Sequence, residues 1–188
     1  MTADPLIDGK AIAVRAPTRA DIPALARFAA TVPAHDLLFL GRDIRQQRVL
    51  EAWLVAVAAG EIASLIALAG EVIVATTASV SDPLSWSPHV CEIRLLVAPA
   101  ARNQGLGRVL LERAIAEACA GGASKLVARM TPDQVGAITL FEECGFRAEA
   151  LLRDQVRDAG GGLHDLAVLA LDPAREQARR AAFGGDES

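Results

Sequence analysis

Six residues, Arg102-Asn103-Gln104-Gly105-Leu106-Gly107, have the types and spacing to hold an anion. An apolar, strand-like run at 91–97 precedes them, and an amphipathic run at 106–119 follows, with no glycine or proline beyond Gly107. A strand, a glycine turn and a helix in that order leave the first helical N–H groups without internal partners, and the helix dipole adds partial positive charge there. Glycines at 105 and 107 let a ligand approach the backbone where a Cβ would stand in the way. Arg102 and Arg108 bring formal positive charge to the same rim. The chemistry is the grip of a phosphate-bearing ligand on one helix start. A Walker-type loop needs four residues between its glycines and a Lys-Ser/Thr pair, and neither is present. A dinucleotide fingerprint needs a third glycine where Leu110 stands, and an acidic residue beside a second strand where 125–130 is basic at both ends.

A second block lies downstream. Residues 125–130 read as a strand, Asp133 is placed to cap a helix, residues 134–143 are helical, and Gly145 suits the helix end. The turn Arg102-x-x-Gly105-x-Gly107 resembles the coenzyme A pyrophosphate loop of the GNAT superfamily of acyl-CoA-dependent N-acetyltransferases. The block Gln134-x-x-Ala137-Ile-x-Leu-Phe141-Glu-Glu-Cys-Gly145-Phe146 is similar to that family's second signature. The two blocks occur in the family's order and spacing, within a likeness extending over roughly 11–171.

The resemblance implies acetyl-CoA as co-substrate, no metal, and a primary amine as acceptor, either a protein lysine or a small molecule. Leu95, Leu96 and Val97 would lie along the pantetheine arm, with the Val97 N–H polarising the acyl carbonyl. Arg102, Asn103, Gln104, Gly105, Leu106, Gly107 and Arg108 would form the pyrophosphate loop, and Gln134 and Phe141 would border the cofactor. Glu92 matches a glutamate that protein-lysine-acetylating members carry on this strand, so it is the candidate base; the plainer alternative is a strand-start carboxylate paired with Arg94 or solvated. A free amine of this kind has a pKa of about 10.4 and must lose a proton before it attacks. Where the family has a tyrosine to protonate the departing sulfur, this chain has Phe141, and it contains no tyrosine at all. Cys144 is a conceivable donor, though core packing is the simpler role. His35 and Asp36, with Arg42 and Asp43, fall in a segment that borders the acceptor site in the family. His89, just before the Glu92 strand, could share the acceptor-side pocket, and His164 precedes the last strand, where the family often shapes that pocket; a loop or surface place is the simpler role for both. Direct attack in a ternary complex is expected, because no thiol or hydroxyl has a readable neighbouring base. A coenzyme A-binding sensor with little transferase activity is the alternative.

These residues need a scaffold. The chain has 188 residues, 52% hydrophobic and 4% aromatic, which suits one domain with a full core. A net charge of −4 argues against broad electrostatic binding of nucleic acid. Cys91, Cys119 and Cys144 lack metal spacing and read as structural thiols of a reducing cytosol. The acidic start of the chain, with Asp4 and Asp8, lacks the apolar core of a signal peptide. Residues 52–70 are almost wholly apolar, but Gly60-Glu61 divides them into a helix end and a buried hairpin rather than a membrane span. Helices are expected at 21–30 and 43–59, an irregular segment at 31–41, a loop at 81–88, strands at 11–14, 148–157 and 166–171, a terminal helix at 173–182 and a frayed tail at 184–188. The fold class is α/β: a mixed central sheet of six to seven strands flanked by helices, with splayed parallel strands at the cofactor cleft. The oligomeric state stays open, a homodimer included.

Overall fold

The computed structural model describes residues 6–7 and 10–183. Its elements in chain order are β1 (Leu6–Ile7), β2 (Lys10–Arg15), α1 (Ile22–Thr31), α2 (Gln47–Ala58), β3 (Ile62–Ala69), β4 (Val72–Val80), β5 (Val90–Val97), α3 (Leu106–Ala120), β6 (Lys125–Met130), α4 (Val135–Glu143), β7 (Arg147–Arg157), β8 (Leu163–Leu171) and α5 (Pro173–Phe183). The sheet runs β1-β2-β3-β4-β5-β6-β8-β7. Seven strands carry it, and β1 adds a two-residue edge. Among the described residues only β5 and β6 pair in parallel; every other neighbour is antiparallel. The mixed α/β sheet expected from the sequence is therefore present. The expectations for the first residues and for the tail at 184–188 lie outside the described residues.

Side chains alternate across the strands and so divide the core between two faces. On one face, Cys91 and Ile93 of β5 and Leu126, Ala128 and Met130 of β6 pack with Leu111 and Ala114 of α3 and Phe141 of α4. On the other, Leu96 joins Leu25 and Phe28 of α1 and Leu50 and Leu54 of α2. Phe146 is fully buried and meets Phe141 edge to face at 5.0 Å. Trp53 donates its indole N–H to buried Ser64 Oγ at 3.0 Å, which satisfies the hydroxyl on the floor of β3.

The apolar stretch at 52–70 is the end of α2 followed by β3. Gly60 (φ +77°) reverses the chain, and Gly70 (φ +65°) opens the tight β3–β4 turn. Among the described residues no helix is long and apolar enough to cross a membrane. Two boundaries differ from expectation. α2 begins at Gln47 because the Asp43 carboxylate takes the Arg45 N–H at 3.0 Å and its guanidinium at 2.8 Å, a local turn that competes with helix. α4 is preceded by Gln134, not Asp133, in the cap position. The segment between α1 and α2 holds a 3-10 turn, His35–Leu40, that leans on β6 and β7.

Candidate active site

β5 and β6 part company partway along. Their parallel register covers Val90 with Lys125, Cys91 with Leu126 and Glu92 with Val127, and it stops there. From Ile93 onward a split opens through the sheet, and it forms the centre of a cleft of about 520 Å³. The splayed strands expected from the sequence are thus in place. From the α3/α4 face, Leu95, Gly107, Ala137, Leu140 and Phe141 line the cleft; from the opposite face come Asp36, Phe39, Leu96 and Arg129.

Main-chain direction at the split follows from one bond. The Ala98 N–H donates to the Val74 carbonyl at 2.8 Å, and the register pairs Leu96 with Thr76 and Val97 with Ala75. Antiparallel ladders alternate, so the main-chain groups of Leu96 and Ala98 turn towards β4, and those of Leu95 and Val97 turn into the gap. This corrects part of the expectation. Leu96 has its backbone engaged with β4 and offers a side chain that is 7% exposed. The groups available to an arm lying in the split belong to Leu95 and Val97.

The glycine turn closes one end. Gly105 takes φ +78° at the head of α3, with Asn103 also left-handed at φ +60°. No side chain caps α3, so its first N–H groups face the cleft unpaired by the helix. Nothing stands within 4 Å of a Cβ built on Gly105, so its requirement is conformational. At Gly107 a Cβ would come within 3.0 Å of Leu140 Cδ2. The close approach that Gly107 permits is first of all that of α4 on α3, which adds a packing reason to the expected ligand one.

The basic rim is already compensated. Arg102 donates Nε to the Val97 carbonyl at 3.1 Å and Nη2 to Asp36 Oδ2 at 2.7 Å. It therefore laces the end of β5 to the 3-10 turn, and one of the two Val97 groups turned into the gap is occupied. Arg108 pairs with Glu143 of α4 and lies 3.8 Å from Glu112. Gln104 donates to the Ala100 carbonyl at 3.1 Å, and Gln134 accepts the Thr131 N–H at 3.3 Å. The main-chain N–H groups at the start of α3 are left without a side-chain cap.

Glu92 sits on the face opposite α3 and α4, with a side chain 16% exposed. Its Oε1 accepts from Arg94 Nε at 2.9 Å, and its Oε2 lies 4.0 Å from Arg129 Nη1. Phe141 is buried in the core and also borders the cleft. Cys144 is buried beside it and does not line the cleft. Burial raises the Cys91 and Cys119 thiols above their usual range.

Two histidines meet behind the cleft-lining Asp133, a grouping that sequence spacing could not reveal. His35 Nε2 lies 2.8 Å from Asp133 Oδ2 and 3.2 Å from Thr131 Oγ1. Its ring packs edge-on against His164 at 5.1 Å, and His164 Nε2 reaches Asp158 Oδ2 at 2.7 Å. Asp133 titrates below the usual carboxylate range, first because of the Thr131 hydroxyl and then because of His35. With its carboxylate turned to His35, Asp133 does not cap α4. His89 is exposed at the start of β5, away from this group, and its carbonyl accepts from Ser124 and Lys125. Among the described residues no cluster of His, Cys, Asp or Glu is suited to a metal ion.

A model of the acetyltransferase (GNAT) family matches residues 34–146. No match to a curated protein was found. Among solved structures, a ribosomal-protein-alanine N-acetyltransferase from Brucella melitensis is 23% identical with a TM-score of 0.73, covering 85% of this chain and 99% of that one. A putative acetyltransferase from Salmonella typhimurium, solved with its cofactor acetyl-CoA, is 23% identical with a TM-score of 0.73, covering 86% and 93%. A spermidine N-acetyltransferase from Vibrio cholerae, in complex with CoA and spermine, is 15% identical with a TM-score of 0.72, covering 88% and 98%. These likenesses carry the fold, and the family model spans more than half of the chain, including both motif blocks and the split between β5 and β6. The chain belongs to the acetyltransferase (GNAT) family and is an acetyl-CoA-dependent N-acetyltransferase.

Proposed function

We propose that the protein acetylates a primary amine by direct attack within a ternary complex, with the cofactor entering from the α3/α4 face and the acceptor from the opposite face. The observation that carries this reading is the orientation of Leu95 and Val97, whose main-chain groups turn into a split that ends at the uncapped start of α3. Acetyl-CoA supplies an acetyl group as a thioester. The first N–H groups of α3 would receive its pyrophosphate, with Arg102, Asn103, Gln104, Gly105, Leu106, Gly107 and Arg108 shaping the rim. Leu95 and Val97 would hold the arm, and the Val97 N–H would donate to the acyl oxygen. A fixed donor of this kind is worth about 3 kcal/mol in comparable sites. Gln134 and Phe141 would border the arm from α4.

Glu92 would accept the amine proton through water. Arg94 fixes one of its oxygens, and the other lies 4.0 Å from Arg129, which lines the cleft while Glu92 stands behind it, so a water would carry the proton from the cleft to Glu92. Phe141 offers no proton to the departing sulfur, and Cys144 does not line the cleft. The thiolate then leaves unassisted, which its conjugate-acid pKa of about 8.5 allows.

The test is release of free thiol from acetyl-CoA across a panel of amines and lysine peptides, beside calorimetric titration of acetyl-CoA. Micromolar binding with acceptor-dependent thiol release is expected. Tight binding with no turnover for any amine would favour a coenzyme A sensor instead.

A further inference from the structure

Every charged side chain described along the cleft has a partner within hydrogen-bond distance, except Arg129. Asp36 is joined to Arg102, Glu143 to Arg108 and Asp133 to His35. Arg129 lines the same cleft with a side chain 46% exposed. Its only ionic partner among the described residues is Glu92, at 4.0 Å, and Glu92 is already bonded to Arg94 at 2.9 Å. Two guanidiniums thus share one carboxylate, which leaves this part of the site one positive charge in excess.

The position of the excess matters. In the parallel register Glu92 stands beside Val127, so Val127 and Arg129 share the face of Glu92, Arg94 and Leu96. That face is opposite α3 and the pyrophosphate loop. A cation there has no phosphate of the cofactor to meet, and its planar fork of donors suits a carboxylate.

From this geometry we infer that the acceptor is a small amino acid-type molecule, with its carboxylate on Arg129 and its amine beside Glu92. The inference deepens the transferase reading and rests on it. The 4.0 Å between Glu92 and Arg129 places an acidic and a basic partner at the separation that a neighbouring amine and carboxylate need. The same excess charge disfavours polyamines, which would bring further cations to Arg129.

The experiment compares kcat/KM for a set of α-amino acids with that for the amines lacking only the carboxylate, for the corresponding amides, and for spermidine. A charge-assisted pair of this kind gives about a ten-fold or greater preference for the acid. Arg129→Gln reduces that ratio to about two-fold, mainly through KM of the acid, and Arg129→Lys restores part of it. Amides or decarboxylated amines used as well as the acids, or a ratio that Arg129→Gln leaves unchanged, would overturn the inference while the transferase reading stands. Bound acetyl-CoA with no turnover for any amine would overturn both. Melting temperature and acetyl-CoA affinity of each variant confirm that the fold and the cofactor site survive the change.

Discussion

Glu92 and Arg102 stand out in the sequence, and Arg94 is readable there as a neighbour for Glu92, but Arg129 and Asp36 come to them only through the fold. Glu92 lies against Arg94 and Arg129; Arg102 grips Asp36 and the Val97 carbonyl. Replacing Glu92 with Gln keeps the shape and removes the proton acceptor. We expect kcat to fall about 10²-fold at neutral pH, with partial recovery at higher pH where more amine is already neutral, and an acetyl-CoA affinity that calorimetry finds little changed. A flat pH response with an undiminished kcat would remove Glu92 from the mechanism. At this scale the motif spacing was legible because it is local: the turn at 102–107 and the α4 block are each read within a few residues. The His35–His164 contact was not, since those residues come from a 3-10 turn and a distant hairpin. The direction of the Leu96 backbone was also beyond sequence, because it depends on which partners β4 presents.

Elements are held in register by a few polar clamps. Asp21 is 8% exposed, and its carboxylate accepts from Arg15 at 2.6 and 2.8 Å, from the Thr18 N–H at 2.7 Å and from the Thr18 hydroxyl at 3.0 Å. The clamp ties the end of β2 to the start of α1. Foremost through Arg15, it holds the Asp21 carboxyl well below the usual carboxylate range. A depressed folded-state value means that the stabilisation is complete above the unfolded value of about 4 and is lost as pH falls below it. Asp21→Asn should cost about 2 kcal/mol at neutral pH. Urea titrations of the two proteins should converge as the pH drops below about 4; a gap independent of pH would contradict the clamp. At the α3–α4 contact, Gly107→Ala places a methyl against Leu140 and should cost about 1 kcal/mol, with much of the cost recovered in the Leu140→Ala background. Helix and strand identities were largely readable from periodicity. Their ends were not, because Asp43 and Asp133 each spend a side chain on a neighbour that the periodic pattern ignores.

Across the whole molecule the core is continuous behind the cleft. Phe146, fully buried, joins α4 to the β6–β8 side of the sheet through Phe141. Phe146→Ala should lower stability by about 4 kcal/mol, measured by denaturant unfolding, with acetyl-CoA binding weakened as α4 loosens. The overall α/β architecture was legible because strands and helices alternate with clear punctuation. The sheet order was accessible only in outline, since placing β8 between β6 and β7 is a long-range choice.

The alternation along the end of β5 leaves a signature that solution measurements can read. In the protein without ligand, the amides of Leu96 and Ala98 should retain hydrogen against deuterium for long periods, while those of Leu95 and Val97 exchange quickly. Acetyl-CoA should slow the fast pair and leave the slow pair as it was. One strand would thus report its own vacancy and occupancy at every second residue, before any acceptor is known.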